Sequence, residues 1–488
     1  MTVIEEECRD NSGTVFALMF LETQPNQASD LDLYVTSTSV TSSTFVSLST
    51  PANPTLDIGS SSYIIAPLSS IKITLPAASL KDTGSKRGTR GFRLATNQEV
   101  TVHGVTSQAV GACGGFMAIP MGRLGYEYVV VSYWSQADGF TVTEMGIVAT
   151  EANTEVVIEL NQNGRDVVNV LFEGVVYGSD GNNLIRVSLG AFETVQLQAV
   201  NDLTGSRIYA SKRVAAFSGN IRTAVEQSNA DHIIEQLLPV GAFGSLYSLV
   251  PMPNRAAGER YHIIAVEPNT TIFSSNAGTP MGFLVNAGDV YASNLFDALQ
   301  IRADKEIIVA QYSVSSQVAD SPSILGEPAM VILPSEDNYK NVHYFSVPAS
   351  ESAEYNPQLI VVAPGEGLTD IYIDGVQITL RQWHEIGDIG TNRYWAVLGT
   401  SSGFHRVYCT DSNVRFSVVL YGFVETQCAY SYPTGMCLDY DLVVSLCYQV
   451  LGYWECLIML FRYMNLKHTL YRLMINENFF IKMNHSLN

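Results

Sequence analysis

Charge is scarce in this chain, and positive charge scarcest. Asp, Glu, Lys and Arg make up 15% of its 488 residues, with 27 basic side chains against 47 acidic ones and a formal charge of −20. The basic residues are scattered singly and form no stripe, so phosphate backbones and anionic membranes are repelled and no nucleic-acid partner is expected. Cysteine is thinly spread as well. Seven occur, at 8, 113, 409, 428, 437, 447 and 456, with no C-x-x-C pair and no His/Cys ladder. That spacing excludes a zinc module but leaves disulfides open, with a pairing that cannot be read from it.

Catalytic signatures are missing too. There is no G-x-S-x-G elbow, G-x-G-x-x-G turn, Walker loop or H-E-x-x-H helix, and the eight histidines are dispersed. The chain therefore reads as non-enzymatic, with no cofactor and no small-molecule substrate expected. The opening "MTVIEEECRD" sets three glutamates where a secretory leader needs a basic start and an apolar run. The start reads as leaderless or as lacking its first exon, and the second is the expectation because everything downstream reads as secreted.

Apolar residues reach 47%, and the polar remainder is rich in Ser, Thr, Asn and Gly, a mixture that favours strands and turns. The expectation is an extracellular all-β protein. A repeat of roughly a hundred residues runs through it. "RLATNQEVTVHGVTS" (93–107), "RIYASKRVAAFSGN" (207–220), "QIRADKEIIVAQYS" (300–313) and "VYCTDSNVRFSVVLYG" (407–422) each read as strand, tight turn and alternating strand, which is a hairpin. "IVATEANTEVVIEL" (147–160), "IIAVEPNTTIFSS" (263–275) and "IVVAPGEGLTDIYIDG" (360–375) read as a second hairpin.

Four units follow, at 1–108, 109–222, 241–318 and 337–425, each a small antiparallel sandwich; a propeller-like set of repeated sheets is the alternative. A connector with a short helix fills 223–240, a linker 319–336, and a tail 426–488. The tail's apolar run 442–461 has the length and trailing basic residues of a membrane span, although Glu455 inside it would cost about 2.5–3.5 kcal/mol. The stronger expectation is that this tail is translated non-coding sequence or a divergent unstructured end.

Few residues suggest a site. "ADHIIEQLLPV" reads as a capped turn of helix that would place His232 and Glu235 on one face. With no third ligand in view, His232, Glu235 and Gln236 read as a structural connector and not as the start of a hydrolytic metal centre. The polar stretch 221–231 before it is the candidate binding loop, with Asn220, Arg222, Glu226, Asn229 and Asp231. A basic loop, 81–93, reads as a solvated turn before it reads as an anion site. His405 reads as a packed imidazole. Asn269-Thr270-Thr271 is a glycosylation sequon at an expected turn, and Asn484-His485-Ser486 is a second one in the tail.

The ordered series "GTVFALMF" (13–20), "FMAIPMGRLGYEYVVVSY" (116–133), "VNDLTGSRIYASKRVAAFSGN" (200–220), "DHIIEQLLPVGAFG" (231–244) and "VVLYGFVETQCAYSYPTGM" (418–436) resembles the N-terminal domain of the IgGFc-binding protein family. The resemblance implies an extracellular binding or adhesion module of mucus or matrix. It also implies a protein or glycan partner, with the immunoglobulin Fc not assumed. Members of that family often carry a cysteine pair around the insertion before Asp-His, and "NIRTAVEQSNAD" has none, which implies an untied loop here. Two other readings stand beside it: a surface receptor anchored by 442–461, and, less favoured, a metal-dependent hydrolase at His232 and Glu235.

Overall fold

The computed structural model describes residues 8–440, apart from 25–28, 109–111, 136–140, 164–166, 179–180, 227–228, 254, 256–257, 276–278, 316–325, 350–355, 388, 390 and 425–427. The apolar run 442–461 and the sequon at Asn484 lie outside the described residues. Among those described, the fold is all-β, with one four-residue α-helix, Ala77–Leu80, and a few single turns. No described helix is long and apolar enough to cross a membrane.

Each unit is organised around a long strand, which runs through one seven-stranded sheet in the first and third units and is divided between two sheets in the second and fourth. In the first unit this strand is Phe92–Gln108. Its first half pairs with the opening strand Gly13–Leu18 and with Thr44–Ser49, and its second half pairs with Ser29–Ser37 and Cys113–Met117. The third unit repeats the scheme with Leu299–Tyr312, which pairs first with Gly244–Leu249 and Thr270–Ser274, then with Glu259–Ala265 and Met330–Ile332. In the second and fourth units a kink breaks the long strand, into Arg207–Ala210 and Val214–Ala224, and into Gly403–Cys409 and Ser417–Val424. A strand that changes sheets at a bend is how a sandwich corner is made.

This corrects the expected hairpins. The stretches 93–107 and 300–313 are continuous bent strands. In 147–160, Val142–Ala149 and Thr154–Glu159 lie in different sheets and do not pair with each other. The connection is an arch from one layer to the other. An Asn or Asp turn between alternating strands looks the same in sequence whether the chain folds back beside itself or crosses the sandwich.

The long strand of each unit does form an adjacent pair with the strand that closes the unit: Cys113–Met117, Ala230–Gln236, Met330–Ile332 and Cys428–Pro433. All four closing strands lie beyond the expected unit boundaries. The one expected as a short helix, 230–236, is a strand paired antiparallel with Val214–Ala224, from Phe217 opposite Gln236 to Ala224 opposite Ala230. It is buried along nearly its whole length, so its apolar residues serve two covered faces instead of one helical stripe.

The closing strands also join the units. The first packs on the second, the second on the third, the third on the fourth, and the fourth back on the first. The four units thus form a closed ring through their closing strands. A disulfide between Cys113 and Cys428 ties the first closing strand to the last, and a second, Cys8 to Cys437, holds the N-terminal residues against the end of the fourth unit. Cys409 is buried and free.

Candidate functional site

Gly219, in the second half of the second unit's long strand, faces Ile234 across the hairpin, and any Cβ there would sit 1.9 Å from the Ile233 carbonyl oxygen. Only glycine lets the strand carrying Asp231, His232, Glu235 and Gln236 approach this closely. Because side chains alternate along a strand, His232 and Glu235, three apart, fall on opposite faces. They share no site.

The polar groups of this strand bind backbone. Asp231 Oδ1 accepts from Cys113 N–H at 2.9 Å and from His232 N–H at 2.7 Å, and Oδ2 accepts from Ala429 N–H at 3.4 Å. One carboxyl therefore touches the first, second and fourth units. Burial, reinforced by nearby Glu327, pushes it well above the usual carboxylate range. His232 Nδ1 donates to the Asn220 carbonyl at 2.8 Å, and burial lowers the imidazole to about 4. Glu235 is buried and raised well above its usual value by desolvation, against the opposing effect of backbone groups at Ile332, Met117 and Gln236. Gln236 Oε1 accepts from Ile119 N–H at 3.0 Å.

Two members of the expected binding loop are likewise interior. Asn220 is fully buried and brackets Tyr133, accepting its N–H at 3.0 Å and donating to its carbonyl at 2.7 Å. Asp231 is fully buried as well. Both are corrected from loop surface to core, because the hairpin they sit in is covered by its neighbours. Arg222 and Asn229 are half-buried and Glu226 is exposed. Their polar groups are engaged locally: Arg222 Nε donates to Ala230 O, Glu226 pairs with Arg260 at 2.7 Å, and Asn229 Nδ2 donates to Glu327 at 3.1 Å. The loop leans on the third unit, whose Ser315 exchanges bonds with Val225.

The basic loop 81–93 is not a free solvated turn. Lys86–Gly88 adds an edge strand to the second unit's sheet beside Thr194–Ala199. Lys86 and Arg90 pair with Asp82, Arg87 pairs with Glu173, and Lys81 donates to Thr23 and Ser29. Asn269 lies on an exposed turn with φ 58°, between Glu259–Ala265 and Thr270–Ser274. His405 Nδ1 bonds Asp374 at 2.7 Å and Nε2 donates to the Ser401 carbonyl at 2.8 Å. Among the described residues no cluster of three or more His, Cys, Asp or Glu could hold a metal ion.

One feature of the surface was not singled out from sequence. In Gly403–Cys409, His405, Val407 and Cys409 point inward, while Phe404, Arg406 and Tyr408 remain half-exposed. The alternation in "GFHRVYC" is its only sequence signal. Tyr344 lies opposite Arg406 on one neighbouring strand, and Tyr372 opposite Tyr408 on the other.

The fold is an all-β ring of antiparallel sheets whose seam directs Asp231, His232 and Gln236 to backbone groups. The family model described as "IgGFc binding protein" matches residues 114–422, well over half of the chain, and the chain belongs to that family. A human protein named IgGFc-binding protein is 27% identical over 297 residues, which cover 60% of this chain and 5% of the relative. The chain thus spans a small fraction of that relative's length.

Proposed function

We propose that this chain is a non-catalytic extracellular recognition module of mucus or matrix, engaging a protein or glycan partner at its surface. The observation that carries the reading is membership of a family described as binding proteins. The two disulfides support an oxidising compartment, and the exposed sequon at Asn269 fits a glycosylated, secreted chain. For the partner surface we favour the rim where the second unit's loop meets the third unit, around Glu226, Arg222 and Asn229, because loops positioned by a rigid scaffold commonly carry recognition.

Surface plasmon resonance of the purified chain over immobilised mucin glycoprotein and over immunoglobulin Fc provides the test. Saturable binding to either, weakened by the double substitution Arg222→Ala and Glu226→Ala, is the expected result. A folded chain that binds neither ligand at micromolar concentration would overturn the reading, and full binding by the double variant would move the partner elsewhere on the ring.

A further inference from the structure

We propose that the outer face of the fourth unit's four-stranded sheet is a glycan-binding platform that reads a terminal carboxylate-bearing sugar through Arg406. The inference rests on the recognition reading above but places a second, chemically defined site away from the loop at Glu226.

Arg406 carries the case. Its guanidinium carbon lies 4.1 Å from the centroid of Tyr408 and 5.5 Å from that of Tyr344. Tyr372 stacks on Tyr408 at 5.6 Å and 15°, and Phe404 lies 6.5 Å from Tyr344. Among the described residues no carboxylate pairs with the guanidinium, and Nε is buried without a hydrogen-bond partner. Asp374, across from Arg406 in the sheet, is committed: Oδ2 to His405, and Oδ1 to the backbone N–H of Arg406. In a chain with 47 acidic residues, an arginine held between aromatic rings, with no carboxylate paired to it among the described residues, is suited to receive an anion.

The surroundings narrow the anion. Half-exposed rings on a sheet surface offer faces, which suit the C–H faces of pyranose rings better than a peptide side chain. With rings against the guanidinium and Nε buried, the two terminal Nη groups are what remain, and a planar carboxylate can take two parallel bonds from them. The net charge of −20 penalises a polyanion, such as an acidic peptide, more than one charge at the end of a neutral chain.

Isothermal titration with sialyllactose, using lactose and sulfated lactose as controls, tests the assignment. Sialyllactose should bind and lactose should not, and Arg406→Gln should weaken binding by about tenfold or more. Tyr408→Ala should also weaken it, and unchanged circular dichroism would show that both variants fold. Equal binding of lactose, preference for the sulfated sugar, full binding by R406Q, or no binding by the folded wild type each overturns the proposal. A folded wild type that binds mucin or Fc but not sialyllactose would discard this site and leave the recognition reading standing, whereas a folded wild type that binds neither mucin nor Fc would remove that reading itself.

Discussion

The backbone N–H of Cys113 donates to the carboxyl of Asp231 at 2.9 Å, so the closing strand of the second unit holds the start of the closing strand of the first. The same carboxyl reaches Ala429 on the fourth unit, next to the cysteine to which Cys113 is bonded. Replacing Asp231 with Ala would leave the amides of Cys113, His232 and Ala429 without this acceptor, and should cost roughly 2–4 kcal/mol. Asp231→Asn keeps one acceptor oxygen and should cost less. Urea unfolding of the two variants checks the order.

Reduction of the seam should be costly. Cys113–Cys428 spans 315 residues and ties the first and last closing strands together. Replacing both cysteines with serine should lower stability by about 2–5 kcal/mol, as expected for a cross-link that closes a long loop. A melting temperature unchanged by the double substitution would show that strand packing alone closes the ring.

His232 supplies a pH signature. Its folded value, about 4, lies below the ordinary 6.5, so its contribution to stability is present above 6.5 and is lost as pH falls toward 4. Asp231 acts with the opposite sign, because its raised value gives stability at low pH that is lost as pH rises through its folded value. Comparison with His232→Gln, which keeps a donor for the Asn220 carbonyl, separates the two. The wild type should lose up to about 3 kcal/mol more than this variant between pH 7 and pH 4. Equal slopes in pH-dependent unfolding would contradict a neutral, buried imidazole.

Two tyrosines report on the repeat. Tyr128 Oη donates to Val214 O at 2.6 Å and accepts from Gly125 N–H at 2.8 Å; Tyr247 Oη donates to Ile307 O at 2.6 Å and accepts from Gly244 N–H at 3.3 Å. Each pins the start of a unit to the bend of its long strand. Tyr→Phe at either position should cost roughly 1–3 kcal/mol, and the two losses should add because they fall in different units. Denaturation of the single and double variants measures both.

How much of this was legible in the sequence depends on the kind of feature. Alternating Val and Ile runs with Asn and Gly turns determined an all-β chain, since strand propensity and turn chemistry are local. The family series was legible as well, because its residues occur in order along the chain. Local patterns could not say which strand pairs with which. The turn at 150–153 reads the same in a hairpin and in an arch, and the expected boundary at 222 fell inside the hairpin of Val214–Ala224 and Ala230–Gln236.

The same limit governs the candidate site. "DHIIEQ" has the spacing of a short helix, and only the neighbouring units decide otherwise. Covered on both faces by the other closing strands, the segment pairs as a strand, and Asp231, His232 and Gln236 bond to backbone that lies far away in sequence. The cysteine pairing and the unpartnered guanidinium of Arg406 were decided in the same way. Each depends on what the ring brings alongside a residue, because burial, desolvation and cross-strand contact arise only when distant segments meet.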